Sequence, residues 1–154
     1  MTTANEALTK ASLPPALRKW HEVVVSRDPL VLHDLLHQDV VFHSPVVHTP
    51  QIGRAICFQY LMGAMTVLNT HQFKYLREIV GQREALLEFA TEIEGIQING
   101  IDLISWDCNH QITDFKVMLR PLKAVNLVHQ KMGDRKSTRL NSSHIPLSRM
   151  PSSA

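Results

Sequence analysis

Apolar residues recur at spacings of three and four early in the chain and alternate at spacings of two later on, so helices come first and strands follow. Leu17, Trp20, Val23 and Val24 share one helical face, with Pro14 and Pro15 suited to the opening turn. Arg27, Asp28 and Pro29 break that run. Asp28 is an N-cap and Pro29 stands where a missing N–H costs nothing, so a second, short helix runs from Pro29 to about His37, with Leu32, Leu35 and Leu36 toward the core. Residues 39–44 (DVVFHS) are rich in β-formers and stopped by Pro45, which makes a strand. The loop PVVHTPQIG leads through Gly53 into a third helix over 54–68, where Ile56, Phe58, Tyr60, Leu61, Met65 and Leu68 form a broad apolar stripe of the kind that fills cores.

Strands are expected over 73–80, 85–96, 101–106 and 112–120, bounded by turn residues at Gly81, at Asn99-Gly100 and from Asp107 to His110. Pro121 opens a last amphipathic segment over 122–132, with Leu122, Val125, Val128 and Met132 on one side. The order implies α+β architecture with an antiparallel sheet. Both faces of the late strands are apolar: Ile101 and Leu103 point one way, Ile104 and Trp106 the other, and Phe115, Val117 and Leu119 oppose Ile112 and Met118. A sheet with one solvated face alternates more cleanly, so one face is expected to pack on the helices and the other on a second copy, giving a homodimer through the sheet.

Composition narrows the class without changing this picture. At 154 residues, 44% hydrophobic and 19% charged, the chain is one ordinary globular domain and neither collagen, coiled coil nor wholesale disorder. No apolar run approaches the roughly 20 residues of a membrane span, and the lead-in over 1–13 lacks the apolar core of a signal peptide. With two cysteines, Cys57 and Cys108, a cytoplasmic protein with reduced thiols is the simplest expectation.

The net charge of +2 invites a nucleic-acid reading, but it resides in the tail. Residues 134–154 hold Arg135, Lys136, Arg139 and Arg149 against Asp134; without them 12 basic and 13 acidic residues leave a net of −1. Asp134 to His144, DRKSTRLNSSH, resembles the translation of a short-read sequencing adapter, and SRMPSSA at the end resembles the adapter beyond its index, in the same frame. The expectation is a domain over 14–133 followed by a disordered, non-native read-through tail. Neither nucleic acid nor membrane is then an expected partner.

WHEVVVSRDP, LHQDVVFHSPVVHTPQIGRAI and GIDLISWDCNHQITDFKVMLRPLKA, taken in that order, resemble the nuclear transport factor two-like, SnoaL-like superfamily over residues 16 to about 125. The resemblance implies a cone in which a strongly curved antiparallel sheet wraps three N-terminal helices, with a C-terminal helix and an apolar pocket open at one end. It does not fix an activity, because that fold hosts isomerases, dehydratases, cyclases and noncatalytic members. Laid on ketosteroid isomerase, the phenolic donor falls on Trp20, the carboxylate base before the proline on Ser44, and the buried acid on Asp102 in Ile101-Asp102-Leu103-Ile104-Ser105-Trp106. A serine without a partner base does not abstract protons near neutral pH, so His43 and His48, flanking Ser44 and Pro45, are the replacement candidates.

Asp102 is the leading functional residue. Alternation puts it beside Ile104 and Trp106, and an even-length turn at Asp107 to His110 adds Phe115 and Val117 to the same face. A carboxyl on such a wall has its pKa raised by desolvation and donates to a ligand oxygen; capping a backbone amide or pairing with an Arg or Lys is the competing role. Trp20, Phe58, Phe89, Ile104, Trp106 and Phe115 are the expected ligand-binding wall. His33, His37, His43 and His48 fall within sixteen residues, but no carboxylate or cysteine completes a metal spacing, so neither metal nor other cofactor is expected. Asp114 and Lys116 read as exposed or interface charges. Two functions stay open: a cofactor-independent isomerase, dehydratase or cyclase acting on an apolar oxygen-bearing molecule, and a noncatalytic dimeric binding module.

Overall fold

Two different devices start the first two helices. The structure is a computed structural model and describes residues 12–139. Helix α1 (Pro15–Ser26) opens on Pro14 with no side-chain cap and buries Ala16, Leu17, Trp20 and Val23. It ends at Arg27, whose φ of 56° turns the chain left-handed while its N–H returns to the Val23 carbonyl at 2.7 Å. Asp28 then caps α2 (Pro29–Leu35), its carboxylate accepting from the Leu30 N–H at 2.9 Å. Helix α2 is shorter than the pattern predicts, because β1 (Leu36–His43) begins directly at its end.

The loop that follows carries a two-residue strand, β2 (Gln51–Ile52), paired antiparallel with β1. Helix α3 (Arg54–Leu68) has the expected bounds but turns Cys57, Leu61, Met65 and Leu68 inward and leaves Ile56 exposed. The Cys57 thiol donates to the carbonyls of Val40 and Gln51, fastening this helix to β1 and β2.

Strands β3 (Lys74–Val80), β4 (Glu84–Ile93), β5 (Ile96–Trp106) and β6 (Ile112–Arg120) complete a curved, open sheet of order β2-β1-β6-β5-β4-β3. All neighbours are antiparallel except β1 and β6, which run parallel; the sheet is therefore mixed rather than antiparallel throughout. The α1, α2 and α3 helices lie against its concave side, and α4 (Leu122–Arg139) follows β6. That last helix runs seven residues past the expected end at Met132 and buries Ala124, Leu127 and Val128, while Leu122 stands exposed. Residues 1–11, within the expected lead-in, and 140–154, within the expected tail, lie outside the described residues.

Two departures from the expected strands have local causes. The β4–β5 turn is Glu94-Gly95, both at positive φ (51° and 80°), rather than Asn99-Gly100, which lie in mid-strand opposite Ala90 and Phe89. Gly100 is there for space: a Cβ built on it would stand 2.5 Å from the Phe89 ring and 2.7 Å from the Met118 carbonyl oxygen. On β6 the register skips Thr113 between the Ser105–Asp114 and Trp106–Ile112 pairs, so Ile112 turns inward with Phe115 instead of opposing it.

Candidate functional site

The concave face of the sheet is laid out in rows across the strands. Phe115, Ile104 and Ala85 share one row, Val117, Asp102 and Leu87 the next, and Leu119, Gly100, Phe89 and Tyr75 the third. All the apolar members of the first two rows are buried, and Asp102 among them is 6% exposed. Alternation along β5 thus places one carboxyl on an apolar wall, as the sequence pattern predicts.

Asp102 neither caps a backbone amide nor meets a guanidinium. Its Oδ2 accepts from the Tyr75 hydroxyl at 2.7 Å, and that hydroxyl accepts from the Trp20 indole N–H at 2.9 Å. The chain Trp20 to Tyr75 to Asp102 joins α1, β3 and β5 across the inside of the cone. Burial pushes the Asp102 carboxyl up to about 7 from an ordinary 3.8, with the Tyr75 bond pulling the other way. Burial, and then the charge of Asp102, raises the Tyr75 phenol well above its ordinary value, so it remains a donor.

Beside this chain lies a narrow hollow of about 40 Å³ free volume, walled by Trp20, Phe89, Phe115, Leu61, Met65 and Phe73 among others. That is room for about three waters at roughly 10–15 Å³ each. Ligand pockets typically run to about 300–1,000 Å³, so a ligand of any size displaces side chains to enter. Met65, Leu68 and Phe73, which are less deeply packed than the sheet residues, stand at this wall.

Of the residues assigned from the sequence, Asp102, Trp20, Phe89 and Phe115 meet at the hollow. Ile104 and Trp106 are buried in the core without lining it, and Phe58 lies half-buried on α3 against the His33 ring, 6.2 Å between centroids. The three proton-handling candidates lie elsewhere. His43 follows inward-facing Phe42 and so points to the convex face, where its Nε2 is 2.9 Å from Asp114 Oδ1. Ser44 Oγ accepts from the Val46 N–H at 3.1 Å in the loop after β1, and His48 sits further along that loop. His37 accepts from the Asp39 N–H, and among the described residues no three of His, Cys, Asp and Glu converge as a metal would need.

Tyr75 is the residue that sequence reasoning missed. The superfamily comparison assigns the phenol's place to α1, where Trp20 stands, whereas here the phenol comes from β3 and the indole donates to it. A signal existed: of two tyrosines in the chain, Tyr75 alone lies on a predicted strand, next but one to Phe73.

No family model and no curated protein matches the chain. Solved structures do. A steroid delta-isomerase from Pseudomonas aeruginosa is 34% identical, with the match covering 82% of this chain and 92% of the other at a TM-score of 0.77. An uncharacterized protein with a cystatin-like fold from Silicibacter pomeroyi is 28% identical over 83% of this chain and 91% of its own, TM-score 0.74. A putative polyketide cyclase from Sinorhizobium meliloti, at 12% identity, 71% and 98% coverage and a TM-score of 0.57, shares the fold alone. Among the described residues no helix is long and apolar enough to cross a membrane. With a third of the aligned residues identical along nearly the whole isomerase, and helices packed into the same curved sheet, the chain belongs to the nuclear transport factor two-like, SnoaL-like superfamily.

Proposed function

We propose that this protein holds a small, apolar, oxygen-bearing molecule in the hollow beside Asp102 and polarises its oxygen. The observation that carries the reading is the hydrogen bond from Tyr75 to Asp102 inside an apolar wall. With Oδ2 engaged by Tyr75, the proton retained up to about pH 7 sits on Oδ1 and is donated to the ligand. Binding without turnover is the favoured form. Proton abstraction needs a base within reach of the ligand, and among the described residues Asp102 is the only carboxylate or imidazole lining the hollow. No metal or other cofactor enters this reading.

The likeness to a steroid delta-isomerase favours a second reading, in which the chain catalyses a cofactor-independent isomerisation, dehydration or cyclisation. His43 backed by Asp114, Ser44 or His48 would then move the proton. In either reading a second copy would cover the convex face, where Met118 is exposed and Ile101, Leu103 and Leu86 are half-buried. Such a dimer sediments at twice the monomer mass at micromolar concentration.

Carbon NMR of the Asp102 carboxyl, with and without phenol, tests the first reading. The expected midpoint lies near pH 7 and moves on adding phenol. An Asp102 already ionised at pH 5 removes the polarising role. Conversion of 3-cyclohexenone to its conjugated isomer, followed by ultraviolet absorbance, would favour the second reading over the first.

A further inference from the structure

A hollow of about 40 Å³ admits a guest only if part of its wall gives way, and that wall is unevenly secured. Phe89, Asp102, Phe115 and Val117 stand on β4, β5 and β6, each of which has a strand hydrogen-bonded on either side. On the helical side Asn69 Nδ2 donates to the Val24 carbonyl at 2.7 Å and the Arg27 guanidinium donates to the Asn69 carbonyl, so the ends of α1 and α3 are tied to each other. Strand β3, which supplies Tyr75, is the exception. It is an edge strand bonded to β4 alone, and every one of its residues but Tyr75 is exposed.

Two side-chain bonds among the described residues hold that edge against α1. Trp20 donates its indole N–H to the Tyr75 hydroxyl at 2.9 Å, and one residue on, the His21 imidazole Nε2 meets the Glu78 carboxylate. The His21 ring also stands edge-on to Tyr75, 5.5 Å between centroids. Tyr75 and Glu78 are three residues apart, and plain alternation would send them to opposite faces. The ladder with β4 skips Leu76, pairing Tyr75 with Phe89 and Arg77 with Glu88, so Glu78 comes round opposite Leu87, on the concave side with Tyr75. The bulge thus sets a second anchor on the same strand. Unlike the bond from Trp20 to Tyr75, this anchor lies outside the hollow, its two side chains 22% and 28% exposed.

We propose that β3 is the movable wall of the hollow and that His21 and Glu78 are the clasp that shuts it. A ligand enters when the edge swings off α1, breaking both bonds, and the clasp closes again behind it. The proposal goes beyond the role given to Asp102 and rests only on the hollow taking a guest. A clasp present with and without ligand slows entry and departure alike, so weakening it speeds both and leaves affinity where it was.

Hydrogen exchange of the Trp20 indole N–H, followed by NMR in the full chain under native conditions, reads the opening without any ligand. This proton should exchange through a local opening, less protected than the slowest amides of β5 and nearly indifferent to low urea, which accelerates those amides. Glu78→Ala, which leaves Trp20, Tyr75 and Asp102 in place, should speed the indole about fivefold, the worth of one net hydrogen bond. A Trp20 indole that follows the β5 amides in protection and urea slope overturns the proposal, and this measurement needs no variant. An indole rate that Glu78→Ala leaves unchanged overturns it as well. With phenol as the probe, the same variant should raise the association and dissociation rates about fivefold each and keep Kd within about twofold. A weaker Kd at an unchanged association rate would make Glu78 a scaffold residue and overturn the clasp. If phenol does not bind, the reading of the hollow as a ligand site fails, while the indole exchange still decides whether β3 opens.

Discussion

The two faces of the sheet treat the same functional group in opposite ways. On the concave face Asp102 of β5 is buried among Val117, Leu87 and Phe115, and desolvation lifts its carboxyl to about 7. On the convex face of the next strand, Glu88 accepts from Arg77 at 2.9 Å and from Asn99 at 3.0 Å, and these bonds hold its carboxyl below the ordinary value. One residue of strand pleat separates the two environments, since Leu87 stands beside Asp102 and Glu88 beside Ile101. The partner chosen matters less than the water excluded: each carboxylate has a hydrogen-bond donor, yet only the one inside the cone keeps its proton toward neutrality.

That contrast is broken most severely by Asp102→Asn. Between about pH 4 and 7 the folded chain holds a proton on Asp102 that the unfolded chain has released, so stability falls as pH rises through that interval and levels off above it. The lift from 3.8 to about 7 corresponds to about 4 kcal/mol at about 1.4 kcal/mol per unit. Urea midpoints measured from pH 4 to 8 should show this slope in the parent and lose it in the variant; parallel profiles would mean that Asp102 titrates as a solvated acid. Gly100→Ala acts next, at about 3 kcal/mol, the upper end for overpacking, because one of the atoms in the way is a backbone carbonyl that no rotamer change relieves. Thermal unfolding of this variant at fixed pH reads that cost.

Tyr75→Phe should cost about 2 kcal/mol by leaving the Trp20 indole and the Asp102 carboxyl without their shared partner. It should also move the Asp102 midpoint further above 7, since the lost bond is the one that lowered it. On the convex face Arg77→Ala should leave stability almost unchanged, because a solvent-screened ion pair contributes little. Its visible effect should be the Glu88 carboxyl returning upward in an NMR titration. A stability loss as large as that of Tyr75→Phe would show that the two faces are not so different after all.

What could be read in the chain follows from how local each signal is. The helix starts at Pro14 and Asp28 and the bounds of α3 are written in neighbouring residues, and they stand where expected. Asp102 was placed on an apolar wall by alternation, which is also local, and on the inside of the cone by the superfamily resemblance; it is buried there. Asn99-Gly100 misled because a glycine that turns a chain and a glycine that admits a neighbouring ring are the same letter, and the difference lies in Phe89, eleven residues away. Tyr75 lies 27 residues from Asp102 and 55 from Trp20, so no window of sequence joins the three. His43 was linked to the pocket by its adjacency to Ser44, while the pleat that brings Phe42 inward carries it to the far side of the sheet, beside Asp114.

An acid that changes state near neutrality inside a hollow with room for about three waters ties occupancy to proton traffic. A guest that requires the neutral form must draw a proton from the medium whenever it enters above pH 7, and releases it on leaving. Its apparent affinity then falls tenfold for each pH unit beyond that point, and the heat of entry measured by calorimetry depends on the ionisation enthalpy of the buffer that supplies the proton.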